Sequence, residues 1–199
     1  MPKVVDHEER RADLGAAVWR LASREGLEAV TMRAVATEAG WSTGALHHYF
    51  SDKEELLLFA FRTVADRMGR RLAAATEEAA GPLELLARLL EEGLPLDAER
   101  RAEVRVWFAF LGLALTRPVL ARTQRLTYRA WRSRIADTLR DAQALGEVAA
   151  DADPEGEAAA LIALVDGLAV QATFEPRAVS AERQLELLHE RLDALASRR

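Results

Sequence analysis

The sequence predicts an all-α protein, and three observations predict it. Ala, Leu, Glu and Arg dominate, while β-branched and aromatic residues are sparse. Apolar residues recur at i, i+3, i+4 and i+7 through successive windows of the chain. The six prolines fall at the start or between those windows, and Pro82, Pro118 and Pro154 stand where first-turn residues stand. These signals predict helices over 7–25, 32–39, 43–49, 52–79, 82–93, 97–115, 118–145, 155–174 and 180–197, about nine in all, with no strand.

The composition bounds the function classes. The chain has 199 residues, half of them apolar, which allows one large or two small domains at roughly 100–200 residues each. Charged residues make up 30 %, which excludes a membrane protein and argues against a disordered chain. With no cysteine there is no disulfide scaffold, thiolate metal site or cysteine nucleophile. Residues 1–20 carry charges throughout and lack the apolar stretch of a secretory signal. The most apolar run, 158–174, contains Asp166 and Gln171 and is shorter than the ~20 residues that span a bilayer. A soluble, cytoplasmic protein without a membrane partner is expected. The net charge of −5 argues, on its face, against nucleic acid.

Residues 31–50, TMRAVATEAGWSTGALHHYF, carry the most specific signal. Met32, Val35, Ala36 and Ala39 form one apolar face of a two-turn helix. Thr31 is suited to cap its start, and Gly40 to end it with a positive φ. Ser42 can cap a second short helix, from which Leu46 points into the same core. Helix, glycine turn, helix is the helix-turn-helix arrangement, whose second helix enters the DNA major groove. The outward residues of that helix, Thr43, Gly44, Ala45, His47, His48 and Tyr49, are small or hydrogen-bonding and include no acid. A plain helical hairpin has the same spacing. Ser51 and Glu54 read as a capping box that places Lys53, one of only two lysines, in the first turn of the next helix.

With Thr31-Met32-Arg33, Ala36, Ala39-Gly40, Ser42 to Leu46, Tyr49-Phe50 and Lys53 to Leu56 at gapless spacing, the chain from about 8 to 68 resembles the DNA-binding domain of TetR-family transcriptional regulators. The resemblance implies a DNA-binding domain at 8–68 with its motif at 31–50, and a larger effector-binding and dimerisation domain at 69–199. It implies that Thr31, Arg33, Tyr49 and Lys53 hold phosphates, that Ser42, Thr43, Gly44, Ala45, His47 and His48 face the groove, and that Phe50 and Leu56 are core. Trp41 and His47 depart from the usual aliphatic and Tyr of the family.

Further along, Arg105 to Phe110 and Leu161 to Pro176 resemble the C-terminal domain of the BetI-like subgroup, which implies a homodimer with an effector pocket in each subunit. The residues agree. Helix 155–174 is apolar nearly all round and must be buried on more than one side. Leu161, Val165 and Leu168, with Leu185, Leu188 and Leu192 of the last helix, are expected at a dimer interface. Val104, Trp107, Phe108, Leu111 and Leu115 share a broad face of helix 97–115, with Phe110 off its centre. Trp107, Phe108, Leu111, Tyr128, Trp131 and Asp166 are the candidate effector-pocket residues, although aromatics at helical spacing are commonly plain core. Asp166, alone in an apolar run, needs a partner if buried; it can pair with an arginine, cap a local backbone group or face a cationic ligand, with structural pairing ranked first. Arg122, Arg125, Arg129 and Arg132 form a stripe that reads as a solvated face or as attraction for an anionic effector.

No catalytic residue, metal site or cofactor is expected. Adjacent His47 and His48 point about 100° apart on a helix and chelate poorly, and no phosphate loop, HExxH or GxSxG pattern appears. The expected function is a ligand-responsive regulator, a repressor that binds a pseudo-palindromic double-stranded operator as a homodimer and is released by a small-molecule effector. The alternatives are an activator or effector-stimulated repressor, or a helical small-molecule-binding protein without specific DNA contact; an enzyme is not expected. The charge objection weakens on placement. Residues 1–70 hold ten basic and eleven acidic side chains, but 39–50 hold no acid and Lys53 stands beside them. That local face acts within a Debye length of ~8 Å.

Overall fold

A computed structural model describes residues 7–196. The helices are α1 (His7–Glu25), α2 (Met32–Ala39), α3 (Thr43–Leu46), α4 (Lys53–Glu78), α5 (Pro82–Glu91), α6 (Ala98–Ala114), α7 (Pro118–Ala144), α8 (Pro154–Phe174) and α9 (Ala181–Ala196), with a single 3-10 turn at Leu27–Ala29 that the sequence reading does not foresee. No strand occurs among the described residues. The expected last residue of α9, 197, and the early Pro2 and Lys3 lie outside the described residues.

The helix ends follow from local chemistry. Pro82, Pro118 and Pro154 each open a helix, where a missing N–H costs nothing. Gly81, which precedes α5, has no side chain to cap it; the Glu147 carboxylate, 64 residues away, accepts from the Leu83 N–H at 2.9 Å instead. Ser180 caps α9 by accepting from the Arg183 N–H at 3.3 Å. Asp153 holds the N-cap position of α8 without making the side-chain bond. The capping box before α4 is displaced by one residue from the expected Ser51–Glu54. Asp52 Oδ1 accepts from the Glu55 N–H (2.8 Å), while the Glu55 carboxylate reaches back to the Ser51 N–H (2.8 Å).

The chain divides into two compact units. The first comprises the described residues up to Arg67 together with Arg105–Ala121; the second comprises Met68–Val104 and the chain from Arg122 onward. The segment 105–121 groups with the first unit and not with the rest of the C-terminal region. Its core gathers Leu14, Val18, Leu21, Leu27, Val30, Val35, Leu46, Phe50, Leu56, Leu57 and Phe61 with Val106, Phe110 and Leu120. This corrects the register of α6. Phe110 is fully buried and stacks on Phe61 at 4.1 Å between ring centroids, whereas Leu115 is 84 % exposed. The buried line is Val106, Phe110, Ala114, at i, i+4 and i+8.

The core of the second unit joins Leu86, Leu89, Leu90 and Leu94 to Ile135, Leu139, Leu161, Val165, Leu168, Leu188, Leu192 and Leu195. Leu161, Val165, Leu168, Leu188 and Leu192, expected at a dimer interface, are thus buried inside their own subunit, and Leu185 is half-buried. An apolar residue on an all-apolar helix can satisfy either side, and here the larger side chains fill the subunit's own core. The outward side of α8 carries Ala159, Ala160, Ala163, Val170 and Phe174. At 21 residues, α8 is long and apolar enough to cross a membrane by length and composition, yet its inner side builds this core.

An ionic cluster ties α4, the end of α5 and α6 together within the second unit. Arg71 donates to Glu92 (2.6 Å) and, through both terminal nitrogens, to Glu103 (3.1 and 2.5 Å); Arg100 takes the other oxygen of Glu92 and pairs with Asp97 (3.2 Å). Glu92 and Glu103 are only 6 % and 3 % exposed.

Gly93 lies against α8. A Cβ there would stand 2.6 Å from Cγ1 of Val165, itself buried. Gly93→Ala is expected to lower unfolding stability by about 1–3 kcal/mol through overpacking. Urea denaturation checks this, and an unchanged midpoint would show that α8 can give way.

Candidate nucleic-acid interface and effector site

In the first unit, both predicted caps form. Thr31 Oγ1 accepts from the Ala34 N–H (3.2 Å), and Ser42 Oγ from the Ala45 N–H (3.1 Å). Gly40 takes φ 72°, and its N–H closes α2 on the carbonyls of Ala36 and Thr37. Helix α3 is shorter than expected, four residues instead of the range 43–49. The chain continues in tight turns, with the His48 N–H donating to Ala45 O (3.2 Å) and the Tyr49 N–H to Leu46 O (2.9 Å). Leu46 is fully buried and anchors α3 from beneath, so the rest of the segment faces outward.

Arg33, Ser42, Thr43, Gly44, His47, His48 and Lys53 are exposed, and Thr31, Ala45 and Tyr49 are partly exposed. The structure therefore sets all ten predicted residues at the surface around α3, at the starts of α2 and α4 and in the turn between α3 and α4. Trp41 explains its departure from the usual aliphatic. Its ring lies 5.4 Å from that of Tyr49, and the Arg10 guanidinium stands 5.8 Å over it, so Trp41 forms a lateral support for Tyr49.

The position of α2 is set by Glu38, which sequence reasoning missed because its partners are 18 and 14 residues away. Arg20 Nε donates to one oxygen (2.7 Å) and Arg24 Nη2 to the other (3.0 Å), locking α1 to the end of α2. These arginine hydrogen bonds hold the Glu38 carboxyl below its ordinary pKa.

In the second unit, the predicted pocket residues Tyr128 and Asp166 meet. The Tyr128 hydroxyl donates to Asp166 Oδ2 at 2.7 Å, across 38 residues. The partner of Asp166 is therefore a tyrosine and not the arginine expected first. Burial pushes the Asp166 carboxyl above its ordinary pKa, against the pull of the tyrosine bond; burial, then Asp166, raises the Tyr128 phenol. Trp131 is half-buried and sits one turn further along the same side of α7. The other three predicted residues, Trp107, Phe108 and Leu111, lie in the first unit, partly exposed, with the Trp107 ring 5.3 Å from that of Phe61. The Arg122, Arg125, Arg129 and Arg132 stripe is exposed.

Comparison with known proteins assigns this arrangement. Residues 15–59 match the family described as bacterial regulatory proteins, tetR family, and residues 82–197 match the BetI-type transcriptional repressor, C-terminal. The chain is 35 % identical over 196 residues to the HTH-type transcriptional regulator PksA of Bacillus subtilis (strain 168), covering 98 % of this chain and 94 % of the relative. It is 32 % identical over 194 residues to the HTH-type transcriptional regulator BetI of Rhizobium meliloti (strain 1021), covering 98 % and 93 %. Among solved structures, a putative transcriptional regulator from Saccharomonospora viridis in complex with choline aligns with TM-score 0.84 at 29 % identity, covering 94 % and 97 %. These relatives are transcriptional regulators and not enzymes. With the helix-turn-helix caps formed at Thr31 and Ser42 and a matching C-terminal domain over 82–197, the chain belongs to the TetR family of bacterial transcriptional regulators, with a C-terminal domain of the BetI repressor type.

Proposed function

We propose that this cytoplasmic regulator is a repressor that binds a pseudo-palindromic operator as a homodimer and is released by a small organic cation. The observation that carries the DNA reading is the outward set Ser42 to Ala45 with His47 and His48, free of acid and flanked by Arg33 and Lys53. Ser42, Thr43, Gly44, Ala45, His47 and His48 face the bases in the major groove, and Thr31, Arg33, Tyr49 and Lys53 hold the phosphates on either side. A second copy covers the outward side of α8 around Ala159, Ala163, Val170 and Phe174, so that two such sets address half-sites about one helical turn apart, ~34–36 Å.

The effector reading rests on Asp166, a partly buried carboxylate that accepts from the Tyr128 hydroxyl, with Trp131 one turn further along α7 from Tyr128. A quaternary ammonium answers this chemistry, through charge at the carboxylate and attraction to aromatic faces, and choline is what the Saccharomonospora viridis regulator holds. The effector lowers operator affinity only by preferring the conformation that does not bind DNA.

Fluorescence anisotropy on duplexes from beside the protein's own gene tests the reading. Sequence-preferring binding that choline releases, by a species of twice the chain mass in light scattering, is the expected result. Binding indifferent to sequence, or a monomer at micromolar concentration, would overturn it.

Asp166 also predicts a pH dependence. Because its folded pKa is raised, folding gains from its protonation, and that contribution is lost as pH rises through the folded value. Cation binding runs the opposite way, since it needs the carboxylate. The thermal shift produced by choline therefore grows as pH rises across the same window, and Asp166→Asn flattens it. A shift independent of pH would remove Asp166 from the site.

A further inference from the structure

Gln124 stands one turn before Tyr128 on the same side of α7, in the line Gln124, Tyr128, Trp131, Ile135 at i, i+4, i+7 and i+11. It is 5 % exposed, and among the described residues neither its amide nitrogen nor its amide oxygen has a hydrogen-bond partner. A buried amide without partners is costly, and native interiors rarely keep one unless something else supplies the bonds. The other glutamines show the contrast. Gln143 donates to the carbonyls of Ala149 and Ala152 (both 2.9 Å), buried Gln184 donates to that of Val179 (3.1 Å) and leaves only its oxygen unpaired, and Gln171 is exposed.

We propose that Gln124 is a specificity-determining residue of the effector site, reading a neutral group on the ligand that both donates and accepts a hydrogen bond, such as a hydroxyl. This rests on the reading of Tyr128, Trp131 and Asp166 as the cation site. Asp166 selects the charge; Gln124, one turn before the Tyr128 that holds Asp166, selects the hydroxyl. An effector then needs both, and a simple tetraalkylammonium satisfies only one.

Three compounds of nearly one shape separate the two roles: choline, propyltrimethylammonium, which lacks the hydroxyl, and 3,3-dimethylbutan-1-ol, which lacks the charge. Calorimetric titration of the full chain should show choline binding wild type about tenfold more tightly than propyltrimethylammonium. Gln124→Leu should erase that preference, leave propyltrimethylammonium binding intact and leave the melting temperature of the ligand-free protein unchanged or higher. Gln124→Met serves if the leucine variant does not fold. If the variants keep the choline preference, or melt well below wild type because the amide had a structural partner, Gln124 has no such role. If the neutral alcohol binds wild type but neither cation does, the cation site is wrong while the hydroxyl role of Gln124 stands. If none of the three binds, both assignments fall.

Discussion

Arg71→Ala lowers the unfolding free energy by about 3 kcal/mol, measured by urea denaturation at fixed protein concentration. The magnitude comes from what is left behind. Glu92 and Glu103 are almost wholly buried, and Arg71 engages both at once. Removing the guanidinium takes a shared arginine from two buried carboxylates, each with a large desolvation cost, while Glu92 keeps its bond to Arg100. An exposed pair such as Arg140–Asp137 behaves differently, and Arg140→Ala should cost under about 1 kcal/mol. The triple change Arg71→Met, Glu92→Gln, Glu103→Gln should recover most of the loss, because it removes the charges together. If Arg71→Ala and Arg140→Ala cost the same, the cluster around Arg71 is no more than a surface network.

Removing Arg33 and Lys53 together weakens binding to every duplex alike and reduces the slope of log K against log salt by about 2, one per lost phosphate contact. Both side chains are exposed at the starts of their helices, a placement suited to holding a phosphate between the cation and the backbone N–H groups. Thr43→Ala or His47→Ala acts otherwise. Each costs roughly 1–3 kcal/mol on the operator, less on unrelated DNA, and leaves the salt slope in place. Anisotropy titrations across a salt series distinguish the two classes. An unchanged slope in the Arg33→Ala, Lys53→Ala variant would take these residues off the DNA.

Much of the DNA-binding unit was legible because its determinants are local. An N-cap acts over three residues and a positive-φ glycine over one, so Thr31, Ser42 and Gly40 could be read directly and the structure forms all three. The capping box before α4 slipped by one residue because Ser51 and Asp52 can both cap, and only the placement of Glu55 against the Ser51 N–H chooses between them. Glu38 could not be found, since nothing within α2 points to Arg20 and Arg24.

The sequence by itself determined the helices, their order and the outward face of the helix-turn-helix, because periodicity, caps and proline positions operate within a few residues. Only the tertiary structure decided which side of an apolar helix turns inward. On α6 it chose Phe110, and on α8 it turned Leu161, Val165 and Leu168 into the subunit and left Ala159, Ala163 and Phe174 outside. It also decided the partner of Asp166 and the burial of Gln124, a residue whose polarity alone reads as surface. The physical reason is common to all of these. Burial and pairing depend on what another helix brings from far along the chain, 38 residues away for Tyr128 and Asp166 and farther for Phe61 and Phe110, and that information is absent from any local window.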